Sequence, residues 1–292
     1  MHIDVQIVNA FIDGATGGNP AGVVVDANAL TAAQKLKVAQ QVGLSETAFV
    51  SASNTATIKL EFFTPTRQIA HCGHATVATF CLLRELGLVG EGHLSKETID
   101  GNRDIFVDGE MAFMEQRAPK YTHVGATSEL GGRVAASLGL AQTRFLSGVD
   151  PFVVNTGNAF LLVPLPDEQS VSELSPHLRL IESLSDELDL IGYYVFSTTT
   201  KVQGRHAGAR MFAPRFGIPE EAGTGMAAGP LACFLHDHLG VEGREILTEQ
   251  GWLMQPPSPS VIKVVLEVPD GKISRLMAGG TARAISSFAV EV

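Results

Sequence analysis

Cysteine, tryptophan and tyrosine are scarce in this 292-residue chain, with three, one and three copies. Cys72, Cys81 and Cys233 form no paired framework, and two of them sit in apolar, helix-like runs. A disulfide-stapled secreted fold is thereby excluded, and a reducing cytoplasm is the expected location. Basic residues are outnumbered, 21 Lys and Arg against 31 Asp and Glu, for a net charge of −10. That balance argues against nucleic acid or an anionic membrane surface as a partner. An anionic ligand must then be held by local dipoles and side chains. No apolar run reaches membrane length, and Met1-His2-Ile3-Asp4-Val5 lacks the basic and apolar regions of a secretory leader, so neither secretion nor membrane insertion is expected. Low-complexity tracts and long linkers are missing too. What the chain does have is 45% hydrophobic residues, enough to bury two lobes of ordinary domain size.

It also has one short pattern twice. Phe63-Thr64-Pro65 is followed by Cys72-Gly73-His74-Ala75-Thr76 and an apolar run; Phe212-Ala213-Pro214 is followed by Ala222-Gly223-Thr224-Gly225-Met226 and another. The copies lie roughly half the chain apart, which points to an ancient duplication and two similar lobes. Each copy puts glycine where a strand should turn into a helix, leaving backbone N–H groups and the positive helix end free to face a ligand. Gly157-Asn158 echoes Gly18-Asn19, and a lobe boundary near 117–127 follows. The expected lobes are 1–117 and 118–281, with a last strand, 282–292, returning to the first and the active site in the cleft between them.

Short, mixed elements fill both halves. Residues 3–11 and 22–26 read as strands around Asp13-Gly14 and Gly17-Gly18-Asn19-Pro20. Thr31 and Gln34 form a capping-box signature for a helix that Gly43 should stop. Residues 48–50 and 57–63 read as strands, and Asp108-Gly109 as a hairpin turn. Farther on, Ser128 should open a helix, 152–154 and 159–163 should flank a turn, and Ser175-Pro176 should cap and start another helix before a strand at 193–196. Pro256-Pro257-Ser258-Pro259 reads as a loop between strands. The runs 75–86 and 227–239 are apolar over most of their circumference, which suits helices buried inside a lobe with strands wrapped around them. The fold class is therefore α+β: two pseudo-symmetric lobes, each a barrel-like sheet around a central apolar helix.

Five stretches occur in order: Gly18-Asn19-Pro20-Ala21-Gly22-Val23-Val24, Leu44-Ser45-Glu46-Thr47-Ala48-Phe49, Phe63-Thr64-Pro65 with Cys72-Gly73-His74-Ala75-Thr76, Arg210-Met211-Phe212-Ala213-Pro214, and Glu220-Glu221-Ala222-Gly223-Thr224-Gly225. Together they resemble the PhzF-like phenazine-biosynthesis isomerases, which share the diaminopimelate-epimerase fold. The resemblance runs from about residue 7 to the carboxyl terminus. It implies two lobes with the site between them, an intramolecular proton shift without metal or organic cofactor, and a homodimer.

In such a family the glutamate of the Ser-Glu-Thr motif, here Glu46, carries the moving proton. The residue sits on a short connection after a helix stop, where a partly desolvated carboxyl could take a proton from carbon and return it elsewhere. His74, at a helix start where its charged form is disfavoured, resembles the active-site histidine. Glu221 stands where aspartate is usual, Met226 where serine is frequent, and Gln68 where an acid is common. The expected catalytic residues are Glu46, His74 and Glu221, and the expected substrate-binding residues are Cys72, Gly73, Gly225 and Met226. Cys72 takes the place of a catalytic thiol of related epimerases, and a helix start could lower its pKa. Its counterpart by the Cys-Gly to Ala-Gly match is Ala222, so a two-thiol racemase lacks one base, and Cys72 is expected to line the site. Aligning residues 47–50 with 193–196 sets Gly192 opposite Glu46, so the second lobe lacks the carboxylate. His71, Cys72 and His74 are crowded without a second cluster, which argues against a metal. The expected ligand is a small anionic metabolite, with a trans-2,3-dihydro-3-hydroxyanthranilate-like compound as the specific case. An amino-acid epimerase or racemase, and a non-catalytic metabolite- or protein-binding member of the fold, are the alternatives.

Overall fold

The computed structural model describes residues 1–292, Thr143 by its backbone alone. The chain divides into one unit of Met1–Glu115 with Gly279–Val292 and another of Gln116–Ala278.

The first unit contains β1 (His2–Ala10), β2 (Asn19–Val24), α1 (Ala32–Val42), β3 (Thr47–Ser51), β4 (Ile58–Phe63), β5 (Gln68–Ile69), α2 (Gly73–Glu85), β6 (Gly92–Thr98), β7 (Gly101–Asp108) and β8 (Met111–Arg117), whose end passes into the second unit. Next come β9 (Lys120–His123), α3 (Glu129–Ser137), β10 (Phe152–Asn155), β11 (Ala159–Pro164), α4 (Glu168–Ser172), α5 (Leu178–Glu187), β12 (Gly192–Ser197) and β13 (Ala207–Ala213). The second unit ends with β14 (Ile218–Glu221), α6 (Gly225–Leu239), β15 (Glu245–Gln250), β16 (Ser260–Glu267) and the start of β17 (Arg275–Glu291), which continues into the first.

In the first unit β17, β1, β2, β3, β4, β6, β7 and β8 pair in succession, and β8 pairs back to β17, closing a barrel without a free edge. Gly279 lets the closing strands approach: a Cβ there would lie 2.1 Å from the Ala112 carbonyl oxygen. α2 is buried at every position from Gly73 to Leu83 and packs on β1, β2 and β3, as an apolar-all-round helix must. α1 covers another face of the sheet, where Val38 and Ala39 meet Phe49 and Phe63. Its capping box is present, and Gly43 ends it in the left-handed conformation at φ 69°.

The second unit repeats the plan. Strands β9, β10, β11, β12, β13, β15 and β16 pair in succession, α6 packs on β10, β11, β15 and β16, and α3 with α5 covers Leu161, Val163, Tyr193 and Val195. The duplication is visible in the register. Thr47 pairs with Phe63 as Tyr193 pairs with Phe212, and Gly22 pairs with Thr47 as Leu161 pairs with Tyr193. Gly18 and Gly157 then hold equivalent places in the turns before β2 and β11, both at positive φ. The Asp108-Gly109 hairpin forms between β7 and β8, and residues 256–259 lie between β15 and β16.

One helix start differs from the expectation. α5 begins at Leu178 with His177 as N-cap, not at Ser175-Pro176. The Ser175 N–H donates to the Leu138 carbonyl and the His177 N–H to the Ser137 carbonyl, so this segment satisfies the end of α3 before it can turn into helix.

Candidate functional site

Glu46 precedes β3, and its backbone is fixed because its carbonyl accepts from the Gly22 N–H of β2 at 3.1 Å. Cys72 is the N-cap of α2, and Gly73 and His74 form the first turn. These elements bring Glu46, Cys72 and His74 together, with one potential ligand atom from each within 4.8 Å of the others. His74 Nε2 lies 3.4 Å from Glu46 Oε2, and Cys72 Sγ lies 3.4 Å from His74 Nδ1. All three are buried, Glu46 at 8% exposure.

Glu46 Oε2 has no aligned hydrogen-bond donor although it is shut away from solvent. An acceptor left so costs about 1–3 kcal/mol, and such groups in a folded protein call for an explanation. Here the open lone pairs face an imidazole at the positive end of a helix, a place where a reacting group can be received.

Cys72 corrects an expectation. The helix start does not lower its pKa: burial pushes the thiol up, and the Glu46 charge adds to the effect, against the opposing influence of His74. The thiol form is thereby favoured over the thiolate. His71 also parts from its sequence neighbours. It is half-buried, 3.4 Å from Asp100, and its pKa is pushed down to about 4 by burial and by the charges of Lys96 and Arg103. The third polar partner of Cys72 and His74 is Glu46, brought in from another part of the chain, so the donor set is one thiol, one imidazole and one carboxylate.

The second unit shows what the same framework looks like without this cluster. α6 starts at Gly225 with Thr224 as N-cap, so by helix start Cys72 corresponds to Thr224 and His74 to Met226, rather than Cys72 to Ala222. The strand register makes Gly192 the counterpart of Glu46, and a Cβ on Gly192 would lie 2.3 Å from the Phe212 carbonyl oxygen. A side chain there would force the backbone of β13 to shift. Glu221 is half-buried at the end of β14, and its carbonyl accepts from Gln250 Nε2. Glu220 beside it is engaged in a two-pronged ion pair with Arg210 at 2.8 Å. Met226 Sδ lies 3.5 Å from Asn158 Nδ2.

Two glutamines that pin the start of α6 escaped the sequence reading. Gln250 Oε1 accepts from the Thr224 N–H at 3.2 Å and from the Tyr194 hydroxyl at 3.0 Å. Gln116 Nε2 donates to the Gly225 carbonyl at 2.8 Å, while its Oε1 accepts from Thr156. Gly229 makes room for Gln116: a Cβ there would stand 2.2 Å from its Oε1.

The comparisons with known proteins agree with this architecture. A family model for phenazine biosynthesis-like protein, PhzC-PhzF, matches residues 8–287. An "uncharacterized isomerase YddE" of Escherichia coli K12 is 28% identical over 288 residues, 97% of this chain and 96% of that protein. The trans-2,3-dihydro-3-hydroxyanthranilate isomerase of Pseudomonas chlororaphis is 31% identical over 261 residues, 86% of this chain and 87% of that one. The crystal structure of a Bacillus anthracis phenazine biosynthesis protein of the PhzF family covers all of both chains with a TM-score of 0.89 at 28% identity. With its barrel-wrapped helices, repeated register and near-complete family match, the chain belongs to the PhzC-PhzF, phenazine biosynthesis-like family.

Proposed function

We propose that this protein is a cofactor-independent isomerase that shifts a proton within a small carboxylate-bearing metabolite. The observation that carries the reading is the buried Glu46 Oε2, which lacks an aligned donor while His74 stands 3.4 Å away. Glu46 takes a proton from carbon, breaking a C–H bond as its own O–H forms, and returns it to another carbon of the same molecule as the double bond moves. No electrons leave the substrate, so no redox partner is needed. His74 orients the carboxyl and can relay a second proton, and the backbone N–H groups of the first turn of α2 receive the substrate carboxylate or the developing enolate. Cys72 lines the site as a thiol. The second unit offers a similar row of helix-start N–H groups at Gly225 and Met226.

The name of the P. chlororaphis relative supplies the substrate class to try first, a dihydro-hydroxyanthranilate. The protonated thiol and the bare Gly192 position weigh against an epimerase that needs a base on each face of a stereocentre. Incubation with trans-2,3-dihydro-3-hydroxyanthranilate in deuterated water, followed by proton and carbon NMR, tests the reading. A moved double bond is expected, with deuterium at the new C–H position only in the fraction of turnovers in which the proton on Glu46 exchanges with solvent before it is returned. A panel of such cyclic carboxylates recovered unchanged and without deuterium would overturn it.

A further inference from the structure

β6 alternates inward and outward, and at an inward position where the pattern calls for an apolar residue it carries Lys96, 1% exposed. No carboxylate pairs with it among the described residues. Its ammonium lies 4.8 Å over the Phe62 ring and 3.8 Å from Met114 Sδ, and it donates to Thr76 Oγ1 at 2.6 Å. The Thr76 hydroxyl in turn donates to the Cys72 carbonyl, also at 2.6 Å. A relay therefore runs from the barrel wall to the N-cap of α2, the residue in contact with His74.

The fold does not need a lysine here. Ile58 pairs with Lys96 as Ala207 pairs with Thr248, so the duplicated barrel sets a neutral threonine at the equivalent place. Thr76 is likewise replaced by Ala228, each four residues after its N-cap. The cation and its hydroxyl partner occur together in the unit that holds Glu46, and both are missing from the unit that lacks it. A buried cation is costly, and a position that tolerates threonine has no structural reason to carry that cost.

We infer that Lys96 is a positioning residue of this isomerase: through Thr76 it fixes the Cys72 carbonyl and the first turn of α2, and its ammonium backs the end of that helix where the substrate anion is received. The inference rests on the proposed isomerase site. The charged and titratable groups around Lys96 are Cys72 at the N-cap, Arg103, its register partner on β7, and His71, whose own pKa Lys96 helps to lower. Burial, foremost, holds the Lys96 pKa down to about 7. The backing charge is thus present in mildly acidic solution and fades in mildly alkaline solution.

Calorimetry with anthranilate as the probe, between about pH 6 and about pH 9, tests this on the full-length protein. Lys96→Met is expected to weaken binding about tenfold at the acidic end and to respond little to pH, whereas wild type converges on it as pH rises. Thr76→Val, which keeps the charge and breaks the relay, should fall between the two, and Thr76→Ser should restore wild-type binding. Affinity of Lys96→Met within about twofold of wild type at about pH 6 would overturn the inference and leave the isomerase site standing. So would a flat wild-type profile, a reading that needs no variant to fold. Wild type that binds neither anthranilate nor other small carboxylates would overturn the proposed site and this inference together.

Discussion

His74 Nε2 and Glu46 Oε2 stand 3.4 Å apart, buried, at the positive end of α2, yet their geometry leaves the carboxylate oxygen without a hydrogen bond. A carboxylate held near a donor but not consumed by it retains a lone pair for a substrate proton, and the imidazole can follow the charge as it changes. The Gly22 N–H fixes the Glu46 backbone, so the carboxylate has a rigid support.

Glu46→Gln keeps the shape and removes the base. Turnover of a true substrate should fall by more than about 10²-fold while the circular dichroism spectrum stays that of wild type. Steady-state kinetics within a few-fold of wild type would remove Glu46 from the chemistry.

Cys72→Ala and Cys72→Ser should both retain substantial activity, because burial and the Glu46 charge keep the thiol protonated. For the same reason iodoacetamide should label Cys72 slowly at neutral pH. Loss of turnover in both variants, with fold and ligand binding intact, would instead make the thiol an acid or base.

Gly192→Ala tests why the second unit carries no counterpart of Glu46. The added Cβ would meet the Phe212 carbonyl oxygen, a backbone atom that can move only with β13. A loss of about 1–3 kcal/mol is expected in urea unfolding, the usual cost of overpacking. An unchanged midpoint would mean the strand gives way more easily than its register implies.

Lys96→Met should stabilise the protein while it weakens ligand binding, as a buried functional charge does when removed. The folded-state pKa of Lys96, about 7, lies below its ordinary 10.5. The unfolded chain therefore binds more protons between these values, and wild-type stability gains from this group as pH rises through that window. The advantage of the variant should be on the order of a few kcal/mol below about pH 7 and shrink toward about pH 10. Chemical denaturation at several pH values measures it; a variant less stable than wild type under mildly acidic conditions would contradict the argument.

Glu46, Cys72 and His74 make a thiol–imidazole–carboxylate set that a zinc ion could also use. The proton-shift scheme uses the same groups without one. Dialysis against a chelator should leave turnover unchanged, and elemental analysis should find less than stoichiometric metal. Activity lost on chelation and restored by zinc would replace the scheme.

Much of the architecture follows from local signals. Thr31, Gln34 and Gly43 bound α1 because capping and a left-handed stop are settled within a few residues. The repeated Phe-x-Pro and glycine pattern marks α2 and α6 because an apolar circumference must be buried whatever surrounds it. Glu46 and His74 were legible through motif and placement. The start of α5 was not, since the N–H groups of Ser175 and His177, just before it, are taken by carbonyls at the end of α3. The pKa of Cys72 was not either: a helix start lowers it, burial raises it, and only packing sets the larger of the two. Gln116, Gln250 and Lys96 carry no mark in the sequence, because a glutamine or lysine in a strand reads as solvent-facing until the barrel decides which side is inside. The chain by itself determined the periodicities, the caps and the duplication, which are properties of neighbours in sequence. Which polar groups meet, which are buried and which of two opposing electrostatic effects prevails are properties of neighbours in space, and those only the tertiary structure decided.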